Sequence, residues 1–505
     1  MLTYSFTNIG TDSLYEHLYK LIKNDIIEGV LPAGYKLPSK RSFAKNLNIS
    51  TITVENAYAQ LVAEGYIYSI PKKGYFVCQL EDSFLRPQPA HSTDIPTFNP
   101  SNFDRSVHSD IGDNNLENNI EDNDIEINVP TDEPQTSDAS ASIIADFVSN
   151  NINQESFPFT IWAKLMRETL SENRDKLMTA TPGIGSLELR TAIAKHLQDF
   201  RGMNVNPEHI IIGAGTEYLY SIIIQLLGRE LTYAVEDPGY QKISQVYSSN
   251  HVHLRYIPLN KTGIDVAALE ESGADVLHLS PSHHFPTGIV TPVSKRYELL
   301  GWAAKAAHNQ RYIIEDDYDS EFRLMGRPIP SLQSIDVMER VIYMNSFSKS
   351  LTSTIRISYM VLPPHLMERY NRLLSFYACT VSTFEQYTLT RFISEGYFEK
   401  HINRMRNYYR NLRDVLVSSI KNSSIAPICT IMEEDAGLHF LLKIDTPLTD
   451  SEIKIRAKKK GILVSCLSDY YHTPEDTQQH ILIINYSGLD EETVTSAIKA
   501  LETCF

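Results

Sequence analysis

Cysteine is scarce. The five in 505 residues (Cys78, Cys379, Cys429, Cys466 and Cys504) are odd in number, scattered and never spaced as C-x-x-C. That excludes a disulfide framework and a cysteine-zinc site, and it predicts reduced thiols in a cytosol. Long apolar runs are missing too: none reaches the roughly 18 residues of a membrane span. The opening MLTYSFTNIGTDSLYEHL has no basic patch leading into an apolar stretch, so no secretory signal is expected. Basic charge is also short. Forty-six Lys and Arg against 62 Asp and Glu leave a formal net charge of −16, which taken alone disfavours a nucleic-acid partner.

The distribution of that charge matters more than its sum. Residues 81–142 hold fourteen acidic side chains against Arg86 and Arg105, whereas residues 11–80 hold eight Lys/Arg against six Asp/Glu. The acidic stretch, including NNLENNIEDNDIEINVPTDEPQTSDASAS, is rich in Asn, Asp, Ser and Pro and too poor in apolar residues to build a core. It reads as a disordered acidic linker whose mean span as a flexible coil would be roughly 45 Å. The composition, 42% apolar and 21% charged, is that of a folded globular chain. Two folded domains are therefore expected, over 11–80 and 143–505, on either side of the linker.

The first has helical periodicity. Leu14, Leu18, Leu21, Ile22 and Ile26 share one face, and LPSKRSFAKNLNIS follows as a short helix capped by Ser39. Val54, Ala57, Tyr58, Leu61 and Val62 define a third helix that Gly65 ends. YIYSIPKKGYFV then reads as two strands joined at Pro71–Gly74. Three helices and a β-ribbon make a winged helix-turn-helix, mainly α, with the third helix entering the major groove of double-stranded DNA. Thr51, Thr53 and Asn56 would reach base edges or phosphates, and Lys72 and Lys73 at the wing tip would meet phosphates. One lysine alone is more often a solvated charge; the ordered series points to DNA. The head resembles the GntR family of regulators. Their motif stands here as Leu37-Pro38-Ser39-Lys40-Arg41-Ser42-Phe43-Ala44 and Asn48-Ile49-Ser50-Thr51-Ile52-Thr53-Val54-Glu55-Asn56-Ala57-Tyr58. The resemblance adds Ser39, Lys40, Arg41 and Ser50 to the DNA-facing set. Thr51 stands where many relatives carry arginine.

Residues 143–505 alternate short β-rich runs (HIIIGAG, DVLHLSPS, RYIIEDDYD, RVIYMNSFSK) with amphipathic helices, which predicts a mainly parallel sheet with ligands at the strand C-termini. An aldehyde cofactor carrying a phosphate, such as pyridoxal phosphate, needs four things: an amine, an acid facing its ring nitrogen, phosphate donors and a flat group over the ring. Lys349 supplies the amine. Arg356, Ser346 and Ser348 supply phosphate donors, as do the backbone amides of Gly213-Ala214-Gly215-Thr216-Glu217 at a strand-to-helix junction. Asp316, ending a buried-looking strand, needs a cationic mate that a pyridinium provides; its bland alternative is a surface acidic turn. Tyr318 and His283 are candidates for the ring hydroxyl, and Tyr240 for stacking.

These segments occur in the order of fold-type I aminotransferases, and head plus large domain resembles the MocR subfamily of GntR regulators. The resemblance implies a multidomain chain with a large α/β domain. In it Lys349 would form the Schiff base, Asp316 and Tyr318 hold the ring, Tyr240 cover it, and Arg356 with Ser346 hold the phosphate. Lys242 would meet an effector, at a position where a relative has arginine. Thr352-Ser353-Thr354-Ile355 replaces the usual x-Pro-Gly-Leu before Arg356. HILIINYSGL lacks the arginine that clamps a substrate carboxylate, His480 being nearest. An amine or amino acid displacing Lys349 by external aldimine formation is thus expected, while full transamination is not. The resemblance further implies a cytoplasmic homodimer and no metal. Two other readings stay open: a working aminotransferase with an appended DNA-binding head, and a repressor with a cofactor-free core.

Overall fold

The computed structural model describes residues 4, 13–27, 29–47, 49–63, 66–70, 74–77, 143–149, 152, 156–305, 310–324, 329–434, 437–473 and 477–505. The linker read over 81–142, the helix stop at Gly65 and the wing-tip residues Lys72 and Lys73 lie outside them.

The head contains α1 (Leu14–Ile27), α2 (Lys40–Leu47), α3 (Thr51–Ala63) and the strands β1 (Ile67–Ile70) and β2 (Gly74–Val77). The two strands pair antiparallel, with Ile67 opposite Val77. Leu18, Ile22 and Ile26 of α1 are buried, as are Phe43 of α2 and Val54, Ala57, Tyr58 and Leu61 of α3. Leu14 and Val62, at the ends of their stripes, stay exposed. Ser39 Oγ accepts from the Ser42 N–H at 3.2 Å and Ser50 Oγ from the Thr53 N–H at 3.1 Å, so each serine satisfies an orphan amide at a helix start. Tyr58 Oη donates to the Pro38 carbonyl at 2.9 Å, fixing α3 against the entry to α2. The winged helix-turn-helix is present as expected.

The large region begins with β3 (Ala145–Asp146) and is built around eight strands. These are β4 (Ile210–Ala214), β5 (Thr232–Asp237), β6 (His253–Asn260), β7 (Gly263–Ile264), β8 (Val276–Leu279), β9 (Tyr312–Asp316), β10 (Val341–Ser346) and β11 (Ile357–Val361), lying in the order β4-β11-β10-β9-β8-β5-β6-β7. The run from β10 through β9, β8 and β5 to β6 is parallel, while β11 runs antiparallel between β4 and β10. Parallel strands are covered on both faces, which is why YIIED and VIYMNS carry no polar alternation and every residue of both is buried. One face packs Ile211, Ile314, Ile342 and Met360 with Leu219 and Ile223 of the helix Thr216–Leu227. The other packs Leu277, Ile313 and Val341 with Leu299 and Trp302 of the helix Val293–Ala304.

After the long helix Tyr397–Lys421, β12 (Cys429–Met432), β13 (His439–Ile444), β15 (Ser465–Cys466) and β16 (Ile481–Asn485) form an antiparallel sheet in the order β12-β13-β16-β15. The short strand β14 (Ile462–Leu463) pairs in parallel with β3, tying residue 145 to the C-terminal region.

Topology then places the chemistry. β5, β9 and β10 end at one edge of the central sheet, and β4, antiparallel to β11, ends there too. The reversed strand β11 starts at that edge, immediately after Arg356. The segments after β4, β5, β9 and β10, and the one before β11, therefore converge.

Candidate functional site

At that edge lies a cavity of about 270 Å³. Gly215, Thr216, Tyr240, Lys242, Asp316, Tyr318, Ser346, Ser348, Lys349 and Arg356 all line it. Gly215 and Arg356, 141 positions apart in the chain (356 − 215 = 141), thus share one site, and His472 lines it as well.

The acid run Glu315-Asp316-Asp317 is buried throughout, so it is no surface turn. The pleat of β9 divides it. Glu315 shares its face with Ile313 and lies 3.4 Å from buried Arg296, while also accepting from the Leu332 N–H at 2.8 Å. Asp317, just past the strand, pairs with buried Arg201 at 2.8 Å and accepts from Tyr343 Oη at 2.7 Å. Asp316 points the other way, into the cavity. Its Oδ2 accepts from Tyr220 Oη at 2.6 Å and lies 3.6 Å from His278 Nε2. Its Oδ1 is buried and has no hydrogen-bond partner. A buried carboxylate oxygen without a donor is costly, and a cationic ring N–H supplied by a ligand is the kind of group that would satisfy it.

Lys349 follows β10 in the single turn Phe347–Ser350, which Ser346 caps by accepting from the Ser348 N–H at 3.1 Å. Protein encloses its ammonium while part of the side chain faces the cavity. Burial pushes its pKa down to about 8, against the opposing charge of Asp319. Ser358 Oγ donates to Ser346 Oγ at 3.0 Å, and Ser346 Oγ in turn to Ser348 Oγ at 2.9 Å. That relay leaves the Ser348 proton to point at a ligand oxygen.

Beside them Gly215 adopts φ +92, and a Cβ there would collide with the Arg356 guanidinium and, at 2.8 Å, with Glu217 Oε2. Only glycine permits both the left-handed turn and the close approach of Arg356. Arg356 Nη2 donates to Glu217 Oε2 at 2.9 Å, and Lys242 Nζ pairs with Glu217 Oε1. Burial alone would raise the Glu217 carboxyl; the hydrogen bond from Lys242 and the charges of Lys242 and Arg356 hold it below the usual range. Backbone amides at a helix start, the Ser348 hydroxyl at the end of that relay and a guanidinium are a donor set suited to a phosphate.

One expectation is corrected. His283 does not line this cavity. Its Nδ1 lies 2.7 Å from Asp319 Oδ2, beside a separate, much smaller cavity, and the neighbouring His284 lines the large one instead. Glu236 and Tyr220 were missed. Glu236, at the end of β5, is buried, accepts from the Ser280 N–H at 2.9 Å and lies 3.5 Å from His284 Nε2. Burial pushes its carboxyl up to about 8 and Asp316 adds to the rise; burial also pushes His284 down to about 3. Tyr220 is one helical turn beyond Thr216, and that i, i+4 spacing was the available signal. His480 lies at the start of β16, outside the cavity lining.

On the head, Arg41, Thr51 and Asn56 are exposed, and Thr53 is half-buried with its hydroxyl 2.8 Å from Ser50 Oγ. Lys40 is engaged elsewhere: its Nζ lies 2.6 Å from Glu55 Oε1 and 5.6 Å from the centre of the Tyr75 ring. Ile52, at the start of α3, is 68% exposed and went unremarked in the sequence. It is an apolar side chain suited to a thymine methyl.

Residues 142–501 match the family described as aminotransferase class I and II, and residues 14–77 match the bacterial regulatory proteins of the gntR family. An HTH-type transcriptional regulator of Bacillus subtilis, YdeL, is 35% identical over 97% of this chain and 96% of its own length. The probable rhizopine catabolism regulatory protein MocR of Rhizobium meliloti is 29% identical over 97% of this chain and 94% of its own. Among solved structures, a kynurenine aminotransferase of Pyrococcus horikoshii superposes with a TM-score of 0.63 at 24% identity, covering 72% of this chain and 91% of that one. That likeness confirms the fold of the large region.

Proposed function

The chain belongs to the MocR subfamily of GntR regulators, and on that footing we propose that it is a DNA-binding transcriptional regulator that senses an amine or amino acid through pyridoxal phosphate. The observation that carries this reading is Asp316: a buried carboxylate with one bare oxygen, in the same cavity as a lysine whose amine burial tends to neutralise.

Lys349, Asp316, Tyr318 and the cradle of Gly215, Ser346, Ser348 and Arg356 would hold the cofactor. When bound, it supplies an electrophilic carbonyl for which Lys349 and an incoming amine compete. The protein's own groups do the rest. Lys349 presents a lone pair at Nζ in a much larger fraction than an ordinary lysine, because enclosure disfavours its ammonium. Asp316 favours a protonated ring nitrogen by its charge, and Tyr220 keeps that carboxylate oriented. Tyr240 meets Phe285 edge-on at 5.8 Å, which holds its ring at the cavity wall. Glu236, protonated below about pH 8, adds no negative charge beside Asp316.

The assembly we take to be a cytoplasmic homodimer that reads paired half-sites on DNA. Exposed Met178, Leu187, Phe376 and Phe384 support the dimer: the Thr181–Thr383 hydroxyl contact of 2.7 Å joins the two segments that carry them, and a second copy would cover such apolar side chains. No helix among the described residues is long and apolar enough to cross a membrane. Effector binding in the large domain would change how two heads grip DNA. The test is DNA binding measured with and without a panel of amines and amino acids: the response disappears in Lys349→Ala while the head still binds. An undiminished response in that variant refutes the reading. Sustained turnover of an amino donor with a keto acid would instead mark the chain as a working aminotransferase.

A further inference from the structure

Glu217 stands in the first turn of the helix Thr216–Leu227, where a carboxylate is stabilised by the helix dipole. It binds two cations from separate segments. Oε1 pairs with Lys242 Nζ, from the helix Gln241–Ser249, and Oε2 accepts from Arg356 Nη2 at 2.9 Å. Apart from Lys349, these two are the Lys or Arg side chains that line the cavity among the described residues. Two of its histidines, His284 and His472, are disfavoured as cations, and the third, His278, is turned to other partners. Burial pushes His284 down to about 3 and lowers His472, and His278 accepts or donates at Nδ1 with Tyr247 Oη at 2.8 Å while its Nε2 faces Asp316. Away from Glu217 part of the wall is ring surface: His472 stacks on Tyr256 at 4.0 Å between centres, and Tyr240 meets Phe285 edge-on.

Apart from Lys349, a carboxylate carried by a ligand therefore meets no lining Lys or Arg among the described residues that is not already bound to an acid, and it approaches the like charge of Glu217. An ammonium meets the reverse: the carboxylate of Glu217, and ring faces that suit a cation or an apolar body. We propose that the ligand of this cavity is a primary amine without a carboxylate, and that Glu217 sets this preference by holding Lys242 away from ligand anions. The inference rests on the cofactor-dependent reading above and narrows its effector from amines and amino acids to amines.

The test uses the full chain loaded with pyridoxal phosphate and titrated by visible absorbance. Phenethylamine, tyramine and putrescine are each compared with the carboxylated counterpart: phenylalanine, tyrosine and ornithine. At least one amine is expected to half-saturate at a concentration about tenfold or more below its amino acid. In Glu217→Gln, which releases Lys242, that ratio falls by about tenfold. Lys242→Met, which serves if Glu217→Gln does not fold, leaves the amino acids no weaker than in the unaltered chain. A loaded protein that answers to none of the three amines, or prefers an amino acid, overturns this inference alone. So does selective loss of amino-acid binding in Lys242→Met. A chain that takes up no cofactor overturns the reading beneath it as well.

Discussion

Tyr220 Oη donates to Asp316 Oδ2 at 2.6 Å, and among the described residues that phenol is the one donor to a buried carboxylate whose other oxygen is bare. The chain thus maintains a buried acid without a cationic side-chain partner from Lys or Arg at the end of β9, whereas both flanking acids are paired with buried arginines, even though Asp317 Oδ1 too lacks a hydrogen-bond donor. Groups left this way in a native core mark a place where function outweighs stability. Asp316→Asn keeps the shape and removes the charge. Its cofactor-free form should melt no lower than the parent, and its affinity for pyridoxal phosphate should fall by about a hundredfold. Thermal unfolding and absorbance titration read the two effects separately. A large drop in melting temperature with affinity intact would assign Asp316 to the core instead.

The amine of Lys349 gives a pH dependence. With its pKa near 8, half the residue is neutral at pH 8, against about 0.3% for an ordinary lysine of pKa 10.5. The rate of cofactor uptake by the cofactor-free protein should rise through pH 7 and level off above about 8. A rate still climbing toward pH 10 would mean that burial does not depress this group.

Glu236 gives a second one, of the same origin in burial but opposite in direction. Its folded-state pKa, raised by burial to about 8, exceeds the ordinary 4.5 of an unfolded chain. The stability it contributes is fully present below about pH 4.5 and is lost as the pH rises toward 8. Glu236→Gln removes that loss, so the urea midpoint of the variant should decline less between pH 5 and 8. Parallel curves would contradict a buried, protonated Glu236.

Much of this was legible in the sequence, for physical reasons. Strands covered on both faces read as unbroken apolar runs, so β9 and β10 declared themselves, and the acid and the lysine at their C-terminal ends came with them. The caps Ser39 and Ser50 were equally plain, because a hydroxyl ahead of an amphipathic run has a fixed task. What stayed hidden was pairing across the chain. Nothing local to Glu217 announces Lys242 or Arg356, the latter 139 residues away. The misassigned histidine has a different cause: PSHHFPTG is irregular, with no period to say which of His283 and His284 turns toward the cavity.

The head separates exposed from engaged side chains. Thr51→Ala and Asn56→Ala should each weaken binding to a cognate operator by about five- to fiftyfold without changing head stability. Lys40→Ala should cost less than about threefold, since its ammonium is already bound to Glu55. Operator titrations at fixed salt, with circular dichroism of each variant, check this. A dominant effect of Lys40 would mean that DNA breaks the Lys40–Glu55 pair.

The most direct measurement incubates the full chain with excess pyridoxal phosphate, reduces it with borohydride and maps the modified peptide. A yellow protein carrying the cofactor on Lys349, with no other lysine labelled to the same extent, is the predicted result. A colourless protein, or label spread over surface lysines with Lys349 unmodified, would contradict it.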